Sequence, residues 1–248
     1  MAAESDRSPV VLLTGASSGI GLALASRLAE SRHQLILPVH GPLEKLEAAL
    51  ADRPCPDPYI RTLDVTDRGA VGDLVQTAES RFGGIDALVT CAGIYRGGSS
   101  LSFGWDDWDE VFRVNVDGTF AVIKAALPGL VKRGSGRILT CASELALTGA
   151  PEATAYAASK GAIISMTKCL ARELAPAGIL VNCVAPGPTA TPMLLAESSY
   201  ADGSEAERLP LGRYGRSDEI AAMFEALLGE PGEYVVGQVI SPNGGAVI

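Results

Sequence analysis

Apolar residues follow two alternating rhythms along this chain. Short continuous runs at Val10 to Thr14, Leu35 to Val39, Tyr59 to Leu63, Ala87 to Cys91, Arg137 to Cys141, Leu180 to Val184 and Val235 to Ser241 are rich in Val, Ile and Leu. Runs of this length predict buried strands. Between them, apolar positions recur at helical spacing in Gly19 to Glu30, Leu43 to Leu50, Val71 to Phe82, Asp106 to Ala126, Ala153 to Leu174 and Ser217 to Leu228. Ser217 stands where an N-cap belongs, just before Asp218 and Glu219. Strands without polar alternation, separated by helices, imply an α/β fold: a doubly wound parallel sheet with helices on both faces, a three-layer sandwich. One domain is expected over 9–248, with 1–8 as a flexible tail. The stretch 187–216 is Pro-rich, Ser-rich and weakly periodic, and is expected to be a mobile substrate loop.

Composition narrows the partners. The 248 residues are 47% apolar, enough for one large core, and the net charge is −9. An acidic surface disfavours nucleic acid and anionic membrane, both polyanions. Cys55, Cys91, Cys141, Cys169 and Cys183 are odd in number and form no CxxC pair. All but Cys55 lie in apolar runs and read as small buried hydrophobes of a reducing compartment. His33 and His40 are the only imidazoles, and neither pairs with a Cys at zinc-ligand spacing, so no metal is expected. No apolar run approaches the roughly 20 residues that span a bilayer. The opening MAAESDRS has no signal-peptide core, so a cytoplasmic location is expected.

Two stretches carry chemistry. Tyr156 and Lys160 are four apart, on one face of a predicted helix. A cation beside a phenol favours phenolate and would draw its pKa down toward the working range. The small residues Ala157, Ala158, Ser159 and Gly161 leave room around the pair. Separately, Thr14-Gly15-Ala16-Ser17-Ser18-Gly19-Ile20-Gly21 follows the first strand and opens the first helix. Glycines there allow a tight turn and close approach of a diphosphate to helix N-terminal N–H groups.

TGASSGIG, Asn115 in the fourth predicted helix, Ser143 thirteen residues before YxxxK, and Pro186-Gly187 after the next strand occur in order. Together they resemble the short-chain dehydrogenase/reductases over about Val10 to Gly245, and so imply a Rossmann-type fold. The resemblance implies catalytic roles for Asn115, Ser143, Tyr156 and Lys160. It implies cofactor contacts at Gly15, Ser17, Ser18, Gly19, Ile20 and Gly21 in the turn, and at Asp64 and Val65 after the third strand. Cys91, Ala92 and Gly93 stand where the family has Asn-Ala-Gly, so Cys91 lacks the amide usually found there. Pro186, Gly187, Thr189 and Thr191 match the segment over the nicotinamide, with Thr189 where an aliphatic residue is usual. Tyr156 and Lys160 would also touch the cofactor.

The implied reaction is hydride transfer between a nicotinamide cofactor and a ketone or secondary alcohol, with Tyr156 as acid or base. NAD-specific relatives place a carboxylate at the end of the second strand; here Val39 and His40 stand there, which favours NADP over NAD. The chain's end and GRILTCAS are similar to 3-oxoacyl-acyl-carrier-protein reductases, the alternative reading. Those enzymes usually carry Arg residues beside the site mouth; Arg133 lies near one such position and Ala177 takes the other. That substitution and the acidic surface favour a small ketone. Glu144, Leu145, Tyr95, Met193 and Leu194 could shape its pocket or simply pack. The family's habit implies a homotetramer or homodimer; Leu101, Phe103, Trp105 and Trp108 could serve an interface or the core. A non-catalytic dinucleotide sensor is the remote alternative. An epimerase of the extended branch would need a second domain for which the chain leaves no room.

Overall fold

The computed structural model describes residues 7–196 and 203–248. Most of the expected N-terminal tail, and 197–202 of the expected substrate loop, lie outside these. The elements in order are β1 (Val10–Thr14), α1 (Gly19–Glu30), β2 (Gln34–Val39), α2 (Glu44–Leu50), β3 (Tyr59–Thr62), α3 (Arg68–Phe82), β4 (Ala87–Thr90) and α4 (Trp105–Phe112). A π-helical turn (Arg113–Gly118) leads into α5 (Thr119–Arg133), followed by β5 (Gly136–Cys141), α6 (Leu145–Thr148), α7 (Thr154–Leu174) and β6 (Ile179–Val184). Then come α8 (Pro192–Leu195), α9 (Ser217–Leu228) and β7 (Val239–Ile240).

The seven strands form one parallel sheet in the order β3-β2-β1-β4-β5-β6-β7. Side chains alternate between its faces. Leu12, Ile36, Leu88 and Ile138 point to the layer of α3, α5 and α7. Val11, Leu13, Leu35, Val89 and Leu139 point to α1 and α9, where Phe224 is fully buried. The chain reverses its winding between β1 and β4, and a doubly wound sheet gapes at the carboxyl ends of its strands there.

Three boundaries differ from the sequence reading for physical reasons. The helical run expected at Asp106 to Ala126 extends to Arg133, through Pro128. The hydrogen bond lost to proline is offset by burial of Leu130 and by Gly134, whose φ of 70° closes the helix end. By length and hydropathy the whole run Trp105–Arg133 could pass for a membrane span. In this fold its Val111, Val122, Ile123, Ala126 and Leu130 are core residues. The last strand shrinks from Val235–Ser241 to Val239–Ile240. Gly237 turns left-handed at φ 68°, and the Asn182 side chain binds the Val235 carbonyl and the Gln238 N–H. The N-cap of α9 is Arg216, not Ser217; the Glu219 carboxylate accepts the Arg216 N–H at 2.8 Å. Cys169, expected inside, is exposed on α7, while Cys183 is buried.

Candidate active site

The carboxyl ends of the strands enclose a cavity of about 920 Å³. Its walls come from the loops that follow β1 to β6 and from the helix starts beside them. The glycine turn forms one end. Gly15 has φ 74°, and a Cβ there would lie 2.6 Å from the Ala92 nitrogen, so only glycine lets the β1 and β4 loops touch. Thr14 Oγ1 accepts that Ala92 N–H at 3.1 Å. Ser18 is the N-cap of α1 in extended conformation, yet its side chain makes no capping bond, and the first turn holds no acidic residue. The positive end of α1 thus faces the cavity with no carboxylate of its own first turn to meet it. With the Ser17 and Ser18 hydroxyls alongside, this donor set fits a diphosphate.

The opposite end is built by β5, the α6 segment and α7. Lys160 is buried, and its Nζ donates to the Cys141 carbonyl oxygen at 2.8 Å. That Nζ stands 5.6 Å from the centre of the Tyr156 ring, against which the Tyr95 ring packs edge-on at 5.1 Å. Ser143 Oγ accepts the Leu145 N–H at 3.2 Å and donates to Glu144 Oε2 at 3.0 Å. The Ser143 hydroxyl acts on the Tyr156 phenol as well, favouring its ionised form. Asn115 sits in the π-helical turn, buried, and acts as a clasp. Its Oδ1 accepts Ile94 N–H at 2.8 Å, and its Nδ2 donates to Ile94 O and to Ser159 Oγ, each at 3.0 Å.

Electrostatics correct one expectation. The Tyr156 phenol is not drawn toward phenolate by the protein around it. Burial pushes its pKa up, with Cys141 and Glu144 adding to the shift and the Ser143 hydrogen bond opposing it. Burial likewise raises the Glu144 carboxyl to about 7, against the pull of the Ser143 hydroxyl and backbone N–H groups. The two thiols beside Lys160 interact: the hydrogen bond between them raises Cys91 and lowers Cys141, which the Lys160 charge lowers further.

Of the residues singled out in the sequence, Gly15, Ser17, Ser18, Gly19, Ile20, Gly21, His40, Asp64, Val65, Cys91, Ala92 and Gly93 all line this cavity. So do Ser143, Tyr156, Lys160, Pro186, Gly187, Thr189 and Thr191. Asn115 stands behind the wall. Asp64 Oδ1 also accepts the Thr66 N–H at 2.9 Å. Burial would raise the Asp64 pKa, but the Thr66 hydrogen bonds and the His40 and Arg113 charges hold it below the usual range. Thr191 caps α8, accepting Leu194 N–H at 3.3 Å. Thr189 bridges to Gly215, which ties the two ends of the 187–216 loop together. Glu144, Leu145, Tyr95, Met193 and Leu194 reach the cavity as well.

The sequence reading missed Arg113, Glu205 and Arg208 in the lining, since nothing in local spacing marks them. It also placed Arg133 near the mouth. Arg133 instead binds Asp86 Oδ1 at 3.0 Å and the Gly83 carbonyl at 2.9 Å, at the amino ends of the strands. Ala177 lies at that same end, before β6.

Fold and site together define a dinucleotide-dependent oxidoreductase, and comparison with known proteins identifies the family. Residues 15–247 match the family described as "Enoyl-(Acyl carrier protein) reductase". The chain is 38% identical over 245 residues to the 3-oxoacyl-[acyl-carrier-protein] reductase FabG of Thermotoga maritima, covering 96% of this chain and 98% of that one. The FabG of Staphylococcus aureus is 35% identical over 236 residues, 94% of this chain and 96% of that one. A crystal structure of levodione reductase superposes with a TM-score of 0.89 at 33% identity, covering 96% of each chain. The chain belongs to the short-chain dehydrogenase/reductase family. It is an NAD(P)-dependent oxidoreductase that interconverts a ketone and a secondary alcohol.

Proposed function

We propose that this enzyme reduces a small ketone with NADP as preferred cofactor, Tyr156 giving the proton. The observation that carries the reading is the meeting of Ser143, Tyr156 and Lys160 in one cavity that also opens onto the uncapped start of α1. When bound, the nicotinamide dinucleotide supplies the hydride. The glycine turn, Ser17 and Ser18 would hold its diphosphate, and Asp64 and Val65 its adenine side. Cys91, Ala92, Gly93, Pro186, Gly187, Thr189 and Thr191 would enclose the rest.

The protein's own part is to receive the substrate oxygen and its proton. Burial keeps Tyr156 protonated at neutral pH, which suits a donor in the reducing direction. Ser143, held by the Leu145 N–H, offers the second contact to that oxygen. Lys160 uses one proton on Cys141 and keeps others for a ribose hydroxyl and for the phenolate left behind. Asn115 is a positioning residue that fixes Ile94 and Ser159. No carboxylate ends β2, where Val39 and His40 stand, so nothing there repels a 2′-phosphate. We place the enzyme in the cytoplasm as a homotetramer or homodimer. Trp105, 79% exposed on α4, and the fully exposed Leu101 are apolar surface such an assembly could cover.

The names of the FabG relatives favour a second reading, a carrier-bound 3-oxoacyl substrate. The net charge of −9 and the position of Arg133 away from the cavity weigh against it. A panel of small ketones and one 3-oxoacyl thioester, assayed with NADPH and with NADH, separates these. Faster turnover of ketones with NADPH is expected. Preference for the thioester would select the second reading. Dinucleotide binding without turnover, untouched by Tyr156→Phe, would leave only a sensor.

A further inference from the structure

Glu144 is used by none of the steps above, yet it sits at the reacting end. Its backbone is pinned: the N–H donates to Pro186 O at 3.0 Å, and the carbonyl accepts Leu147 N–H at 2.8 Å. The residue is 7% exposed and lines the cavity. Among the described residues it enters no salt bridge; its carboxyl accepts from the Ser143 hydroxyl, on Oε2 at 3.0 Å, with the backbone N–H groups of Glu144 and Leu145 also pulling on it.

A carboxyl in that place is costly, because these contacts recover only part of its lost hydration. Leu or Val would fill the same volume without that cost. What the carboxyl adds is an acceptor beside the group that meets the substrate oxygen. A ketone oxygen on Ser143 sits beside a carboxyl 3.0 Å from the same Oγ, so a substituent on the carbon next to the carbonyl can reach Glu144. An anion on that carbon would meet the carboxylate and be repelled.

We propose that Glu144 is a specificity-determining residue that accepts a hydrogen bond from a hydroxyl on the carbon next to the carbonyl, making α-hydroxy ketones the preferred substrate class. The reverse reaction would then take one carbinol of a vicinal diol. This rests on the ketoreductase reading and narrows it. Simple ketones lack the donor, and α-keto acids carry the wrong charge. The buried Glu144 carboxyl titrates near neutrality, so it accepts from a neutral hydroxyl on either side of its pKa.

The test compares 2-hydroxycyclohexanone with 2-methoxycyclohexanone and with cyclohexanone, by dinucleotide absorbance under kcat/KM conditions. The methoxy compound keeps the electron withdrawal and lacks the donor. The hydroxy ketone is expected to exceed both by roughly 10- to 100-fold, as a hydrogen bond to a charged acceptor allows. In Glu144→Leu that advantage falls to within about threefold, and Glu144→Gln, which keeps an acceptor, retains part of it. A Glu144 that served only to hold Ser143 would slow all three ketones alike and leave the ratio unchanged, which overturns the proposal. Equal rates for the three ketones in the unaltered enzyme overturn it without any variant, and leave the ketoreductase reading standing. Failure to reduce any of them, with dinucleotide still bound, removes both.

Discussion

The Glu144 carboxyl makes folding itself depend on pH, and the effect has a definite sign. Burial raises the group from an ordinary 4.5 to about 7. Between those values the unfolded chain releases the Glu144 proton while the folded chain keeps it. Unfolding is therefore favoured progressively as pH rises through this window, and the cost is complete above it. Its size is roughly 3 kcal/mol, the free energy that separates the two proton affinities. Glu144→Gln keeps the shape and the Ser143 acceptor but has no proton to lose. Near pH 5 the variant and the parent should melt at similar temperatures, because the buried Glu144 is protonated there. At pH 8.5 the variant should melt higher by roughly 6–12 °C, since about 1 kcal/mol moves a chain of this length by some 2–4 °C. Scanning fluorimetry of both proteins across pH 5 to 9 in matched ionic strength makes the comparison. A melting difference that stays constant across this range would refute the reasoning, because altered packing around a neutral amide carries no pH dependence. The Tyr156 phenol, raised in part by Glu144, should titrate lower in the variant, and this can be followed by phenolate absorbance at high pH.

Three further outcomes are expected. Tyr156→Phe should lower kcat/KM for ketone reduction by about 10³-fold, within the usual range for a lost general acid, with dinucleotide affinity changed only a few-fold; near-normal turnover would remove Tyr156 from the chemistry. Gly15→Ala should destabilise the fold by roughly 1–3 kcal/mol and weaken dinucleotide binding, because its φ is 74° and the added Cβ would press on Ala92; an unchanged urea midpoint would contradict the packing described. His40→Asp should shift the NADPH-to-NADH ratio of kcat/KM toward NADH by about tenfold, by repelling the 2′-phosphate and accepting from the ribose diol; no shift would move the selectivity determinant elsewhere.

The order of strands and helices was legible because each strand is a continuous apolar run and each helix carries one apolar stripe. Both patterns are local, and burial on a parallel sheet enforces them. The site motifs were legible for the same reason: TGASSGIG is one turn, and Tyr156 and Lys160 are one helical step apart. Local pattern failed where distant groups intervene. Gly237 and the Asn182 side chain cut β7 short; the glycine is visible in the run, but the reach of Asn182 from β6 is not. Burial of Leu130 carries α5 past Pro128, although proline alone argues for a stop. Arg133 is drawn to Asp86, a residue 47 positions away.

By itself, then, the chain's pattern settled that a parallel sheet would bring a glycine turn and a Tyr–Lys helix to the same edge. Only folding decided which force rules inside. Alone, a lysine one turn from a tyrosine argues for phenolate. Enclosed together, Tyr156 loses its water, Lys160 turns to the Cys141 carbonyl, and Glu144 joins them from a loop that spacing could not place. Desolvation depends on everything that surrounds a group at once, and a sequence records only its neighbours along the chain.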